Sequence, residues 1–263
     1  MRYSEHRPSP RLESWVESYW VLRGESHAPE SVASDGRMEI ILHLGNPFEE
    51  RTAEGWRKQS RQLVSGQITR PVTVRPAGAA LTVGVRLKSW AGGALLREDA
   101  SRLTDRLVEL DAVNARLGRA LRPLLMLDSV TPEKLDAMLA SYLGDGAVDT
   151  RICSAVAHID RTRGHSTVDA LRRHTGIGNR QIERLFRQHV GVGPKLFARM
   201  VRFRSVLKAV RGDAPPDWAG VAADFGYSDQ AHLIREFQQF AGCTPGSLLQ
   251  DAASLNLQFA SGG

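Results

Sequence analysis

Apolar positions along this chain change their period once. Up to about residue 90 they alternate or come in short runs; beyond it they recur at steps of three and four. Residues 18–22, 38–44, 62–65, 72–75 and 82–87 are short and rich in β-branched or aromatic side chains, which predicts strands. Ser34-Asp35-Gly36, Gly45-Asn46-Pro47 and Pro76-Ala77-Gly78 predict the turns between them. Short strands at this spacing predict a small barrel or sandwich, a fold able to enclose one small molecule.

The later pattern is helical. Leu103, Leu107, Leu110, Val113, Leu117, Leu121 and Leu124 predict an amphipathic helix or helix pair. Thr131-Pro132 opens another, with Leu135, Met138, Leu139 and Tyr142 on one face, and Gly144-Asp145-Gly146 stops it and marks a linker. Such leucine stripes suit either a core or a subunit contact. Ile152, Ala155, Val156 and Ile159 then form one stripe, closed by Gly164. Ser166 and Asp169 have capping-box spacing, and Gly176 makes a turn. The helix over 179–190 turns Ile182, Leu185, Phe186 and Val190 inward. Pro194 starts a long helix over 195–211, roughly 25 Å at about 1.5 Å per residue, ended by Gly212 and Pro215-Pro216. Asp217 caps a short helix through Trp218, Val221 and Ala222; Gly226 turns, and Ser228 caps a last long helix with Leu233, Phe237 and Phe240 inward.

The stretch from Thr167 to Leu249 repeats itself. Ile182 and Leu233, Arg184 and Arg235, Phe186 and Phe237, and Pro194 and Pro245 are all 51 residues apart, whereas Gly176 and Gly226 are 50 apart. Each copy is a short helix, a glycine turn and a longer helix, the helix-turn-helix pattern whose second helix enters a major groove. The core-facing residues leave Arg180, Glu183, Arg184 and Arg187 outward in the first copy, and Gln230, Ala231, Ile234, Arg235 and Gln238 in the second. Arginine can fork onto guanine or hold a phosphate, glutamine can pair with adenine, and Ala231 and Ile234 can touch thymine methyls. A solvated surface is the competing reading for any one such helix; His232 suits packing or a phosphate. The helix between the copies predicts a stiff strut holding two recognition helices about 34 Å apart, one turn of DNA.

Charge sharpens this picture. Residues 150–250 hold 15 Lys and Arg against 8 Asp and Glu, while the rest of the chain holds 20 against 21. All the excess positive charge therefore lies with the repeated motif, as a polyanion partner requires. No apolar run approaches a membrane span and no signal-like start is present, so a cytoplasmic protein is expected. Cys153 and Cys243 lack partners for a disulfide framework or a zinc site.

Nothing in residues 1–146 forms a catalytic set. One strand histidine, His43, makes no metal site, with His6 and His27 expected in loops, and no nucleophile–base pair or phosphate-cradling loop is present. The expectation is no enzyme, no cofactor and no metal. Asp35, Glu39, His43 and Arg86 are the polar residues that would line a pocket; exposed alternates on half-buried strands are the other reading.

The segments 176–195 and 225–237, with Gly242-Cys243-Thr244-Pro245, resemble the DNA-binding domain of AraC/XylS-type transcriptional regulators over residues 150–250. The resemblance implies two helix-turn-helix units bridged by one helix, docking in adjacent major grooves. It also implies base reading from Arg180, Glu183, Arg184, Gln230, Ala231, Ile234 and Arg235. Trp15, Trp20, residues 34–42, Val64-Ser65-Gly66-Gln67 and Gly84-Val85-Arg86 resemble a cupin-like N-terminal domain of some such regulators, implying effector sensing and dimerisation. The chain departs from the pattern at Gly178, where a serine cap is usual, at Arg172, a usually small position that loosens unit one, and at Leu248-Leu249-Gln250.

The expected fold is α+β. A β barrel over about 10–90 and helices over about 90–144 make a sensor and dimerisation domain (1–146); an all-α double helix-turn-helix domain (147–250) and a tail (251–263) follow. The expected function is a transcription activator or repressor on double-stranded promoter DNA, with a small-molecule effector, RNA polymerase and a second copy of the chain as further partners. The alternative is a small-molecule-binding barrel whose basic helical tail makes nonspecific or protein contacts.

Overall fold

Alternating side chains on the central strands organise the N-terminal half. Among the residues that the computed structural model describes (1–144, 146–210 and 216–250), ten strands are present. They are β1 (Arg2–His6), β2 (Val16–Ser26), β3 (Glu30–Val32), β4 (Glu39–His43), β5 (Phe48–Thr52), β6 (Gly55–Lys58), β7 (Gln62–Ser65), β8 (Val72–Pro76), β9 (Gly78–Leu87) and β10 (Leu107–Glu109). They form two antiparallel sheets, β1-β2-β9-β4-β7-β10 and β3-β8-β5-β6. Tyr19, Ile40, Leu42, Val83 and Val85 leave one face of the larger sheet to pack with helices α1 (Gly92–Leu96), α2 (Leu110–Leu121) and α3 (Pro132–Leu143). Trp20 and Leu22, on the opposite face, meet Phe48 and Val74 of the smaller sheet. The larger sheet is thus covered on both sides.

Five of these strands run beyond the expected set. β1, β3, β5, β6 and β10 carry many polar residues and lie at or near sheet edges, where one face needs no apolar stripe. His6 therefore sits in a strand rather than a loop, and Leu107 pairs with Ser65 rather than continuing a helix. The remaining leucines behave as core: Leu103, Leu110, Leu117, Leu121 and Leu124 are all buried, which removes them from any subunit contact. Helix α2 is kinked at Asn114, whose Nδ2 donates to the Leu96 carbonyl (2.9 Å) and to the Tyr142 hydroxyl (2.8 Å).

The C-terminal part is all-α: α4 (Thr150–Arg161), α5 (Val168–Thr175), α6 (Asn179–Val190), α7 (Pro194–Ala209), α8 (Trp218–Asp224), α9 (Gln230–Ala241) and α10 (Pro245–Gln250). Helix α7 starts at Pro194 as expected but ends at Ala209, short of 211; the expected stop at Gly212 and Pro215, Asp145 of the linker and the tail at 251–263 lie outside the described residues. Its buried face carries Phe197, Met200, Val201, Phe203 and Leu207 and contacts α4, α6 and α9. Phe203 meets Phe237 edge-on with ring centroids 4.9 Å apart, the favoured aromatic geometry.

The two halves are directly joined. Ala33 is buried in the helical core, the Ser34 amide donates to the Phe240 carbonyl (2.9 Å), and the Thr104 hydroxyl donates to the Gly191 carbonyl (2.8 Å). Arg204 of α7 donates through Nη1 to the Asp35 carbonyl (2.8 Å).

Candidate nucleic-acid interface and the cavity behind it

The first helix-turn-helix is α5 and α6. Thr167 caps α5, its side chain accepting from the Ala170 amide at 3.1 Å; the expected cap, Ser166, sits one residue too early for that bond. Gly176 takes a left-handed φ of 72°, which ends α5 at no steric cost. Gly178 is the N-cap of α6 and offers no side-chain acceptor. Arg172 is exposed and lies 3.8 Å from Asp169, so it stays out of the unit's core.

The second unit is α8 and α9. Asp217 caps α8 as expected, accepting from the Ala219 amide (3.1 Å). Gly226 turns with φ 66°. The cap of α9 is Asp229, which accepts from the His232 amide (2.7 Å), in place of the expected Ser228; Ser228 instead bonds Asp229 and the His232 ring. His232 also stands edge-on to the buried Tyr227, with centroids 5.2 Å apart. Arg199 of α7 pairs with the buried Glu236 (2.6 Å), fastening α9 to the strut.

The 51-residue register carries through to exposure. Arg180 and Ala231, Arg184 and Arg235, and Arg187 and Gln238 are equivalent pairs, and all six residues are exposed. Glu183 and Ile234 are also equivalent, and both are half-buried. Gln230 is exposed at the start of α9. The Glu183 carboxylate lies against Gly193, where an added Cβ would come within 2.9 Å of Oε2, so it faces the N-terminus of α7 and complements that helix dipole. Helix by helix, then, one exposed row runs at steps of four and three: 180, 184 and 187, then 231, 235 and 238.

The N-terminal domain backs this row. Gly93 of α1 sits so close to α6 that a Cβ would lie 2.1 Å from the Gln188 carbonyl oxygen. A groove between α1 and α6 is lined by Arg184 and Arg187 on one side and Glu98 and Asp99 on the other. The Arg187 charge acts on Asp99, and Arg97 lines the same groove.

Behind the strut lies a cavity of about 100 Å³ between the two sheets, with Phe203, Arg204 and Leu207 of α7 as one wall. Asp35, Glu39, His43 and Arg86 all line it, which corrects the reading of exposed alternates: both faces of the larger sheet are covered, so the alternate set points inward too. Arg86 is 2% exposed and His43 is 1% exposed. Arg86 donates through Nε to Glu39 Oε1 (3.0 Å) and stands 3.4 Å from Glu5 Oε1 and 3.9 Å from Asp35 Oδ2. The Trp20 indole lies over Gly84, leaving no room for a Cβ there, and donates to Glu39 (3.2 Å). Arg37, which also lines the cavity, pairs with Glu17, and Arg204 with Asp160 (2.6 Å). Sequence reasoning passed over Arg37 and Arg204. The signal for Arg204 was a charge on the apolar stripe of α7, between Met200 and Leu207.

His43 makes acid stability testable. Its ring bonds Thr82 and Gln59, each at 3.0 Å, and burial pushes its pKa down to about 4 against an ordinary 6.5, with Gln59 opposing and Arg61 adding. The unfolded chain therefore takes a proton that the folded chain refuses, and stability falls as pH drops from 6.5 to 4. Burial raises the Glu17 carboxyl, but Arg37 outweighs it and holds it at about 2, so its contribution is lost lower, as pH falls from 4.5 towards 2. Urea midpoints should decline across the upper window in the parent and decline less in His43→Gln; parallel slopes would refute the assignment.

Residues 4–109 match a domain of unknown function (DUF6597), and residues 171–251 match a family described as a helix-turn-helix domain. The HTH-type transcriptional regulator GlxA of Rhizobium meliloti (strain 1021) is 25% identical over 190 residues, covering 63% of this chain and 58% of GlxA. The chain thus spans less than two thirds of that relative's length. Among solved structures, ToxT of Vibrio cholerae has a TM-score of 0.48 at 7% identity, covering 88% of this chain and 97% of ToxT. The AraC-like transcriptional activator CuxR has a TM-score of 0.30 at 13% identity, covering 79% and 86%. With its duplicated units, shared register and bridging helix, the segment 171–251 is a helix-turn-helix domain, the family whose model it matches.

Proposed function

We propose that this chain is a sequence-specific DNA-binding transcription regulator, with α6 and α9 entering adjacent major grooves on one face of a duplex. The observation that carries this is the equivalence of the two exposed rows across a 51-residue repeat, each on the second helix of its unit and both braced by α7. In this reading Arg180, Arg184, Arg235, Gln230 and Gln238 read bases or hold phosphates, Ala231 and Ile234 meet thymine methyls, and Arg187 holds a phosphate. Glu183 contributes by positioning the start of α7.

The cavity is read as a binding site for a small-molecule effector, without turnover. Its α7 wall belongs to the helix between the two recognition units, so an occupant that favours one placement of α7 shifts the spacing the DNA sees. Action at a promoter then involves RNA polymerase, and a second copy of the chain where the site is repeated. The setting is the cytoplasm, where the DNA is; no described helix is long and apolar enough to cross a membrane.

A footprint on the chain's own promoter region tests the proposal. Protection should cover two successive major grooves per chain, and affinity should fall linearly in log–log form with salt, at about −0.9 per phosphate neutralised. Loss of every complex to random competitor DNA at the same salt would overturn sequence specificity.

A further inference from the structure

We propose that the cavity between the two sheets and α7 takes a small apolar molecule bearing one protonated amine. This names the ligand class for the effector site above and rests on that reading. The apolar walls, among them Leu22, Ile41, Phe48, Val74, Phe203 and Leu207, select a hydrocarbon body. A volume of about 100 Å³ limits it to a short alkyl chain, since benzene is admitted by an engineered apolar cavity of about 150 Å³.

Charge selects the head group. Five side chains lining the cavity are ionic: Asp35, Glu39, Arg37, Arg86 and Arg204. Arg37 is matched by Glu17 and Arg204 by Asp160, one carboxylate each. Arg86 instead faces three: Glu5, Asp35 and Glu39. These eight groups comprise five carboxyls against three guanidinium cations. Burial, and Asp35 after it, raise the Glu39 carboxyl above its ordinary value despite Arg86. Burial and Arg37 also pull Arg204 below its ordinary value, which by itself would favour an anion. That end is already engaged: Nη2 of Arg204 donates to Asp160 and Nη1 to the Asp35 carbonyl. An ammonium beside Asp35 and Glu39 would supply countercharge where it is short.

Titration calorimetry on the full chain with propylamine, 1-propanol and propionate tests the idea. Propylamine is expected to bind at least tenfold more tightly than the alcohol, and propionate more weakly than either. Glu39→Gln should remove most of the amine's advantage; Asp35→Asn, at a more exposed carboxylate, should reduce it in a chain that keeps its melting temperature. Propionate binding as well as the amine would overturn the proposal, as would no binding by any of the three, or an unchanged amine preference in Asp35→Asn. The promoter footprint, taken without ligand, separates the two readings. A specific footprint without amine binding sinks the ligand class alone, whereas amine binding without one sinks the regulator reading.

Discussion

Arg184→Ala and Arg235→Ala are each expected to weaken binding to the chain's own promoter by about 1–3 kcal/mol, roughly 5- to 150-fold. The two residues are equivalent in the repeat, exposed, and central in their rows. Neither side chain holds the fold together, so the loss should appear in DNA affinity with the melting temperature unchanged. Each variant should relax preference at one base pair, in different grooves. Because the two sites lie in separate units, the double variant should lose about the sum of the single losses. Anisotropy titrations against the promoter and its single-base substitutions read all of this. A uniform loss across sequences, with the salt slope reduced by about 1, would reassign that arginine to a phosphate. Losses below twofold in both variants would sink the major-groove placement of α6 and α9. Arg187→Ala should cost less, because its charge already acts on the Asp99 carboxylate.

Arg86→Met is expected to destabilise the N-terminal domain by about 3–5 kcal/mol at pH 7. Methionine replaces the length of the side chain but not its charge, leaving Glu5, Asp35 and Glu39 together in a buried space without their shared cation. The pH dependence has a definite sign. In the variant the Glu39 carboxyl, already raised by burial, loses the Arg86 charge that lowers it and rises further, so the folded state holds a proton that the unfolded state has released. The deficit is therefore full above the raised folded value and shrinks as pH falls through it towards the ordinary carboxyl range. Urea denaturation of parent and variant at pH 7 and pH 5 measures the difference, from which the His43 contribution cancels. A deficit below about 1 kcal/mol at pH 7, or one that does not change with pH, would show that Arg86 is not what neutralises this cluster.

Helix existence was legible in the sequence, and helix beginnings were not quite so. Ser166-Thr167 and Ser228-Asp229 each offer two adjacent capping residues, and both suit the motif. The bond goes to Thr167 and to Asp229 because only those side chains sit at the non-helical position facing the free amide two or three residues on. A similar limit hid half of the strands. Arg2–His6 and Phe48–Thr52 alternate too weakly in hydrophobicity to stand out, and they become strands by pairing with β2 and with β6 and β8.

Residue order alone carries the local and the repeated features: the change from strand to helical period, the 51-residue register, the glycine turns at 176 and 226, and the outward row on each second helix. These follow from backbone sterics and from the angle between successive side chains, which act within a few residues. Which faces are covered depends instead on long-range packing. Asp35, Glu39, His43 and Arg86 line a cavity because the second sheet and α7 close over them, and Arg204 joins them from a helix some 120 residues later in the chain. Burial of a charge depends on what packs across from it, and that partner is chosen by the whole fold, not by neighbours in sequence.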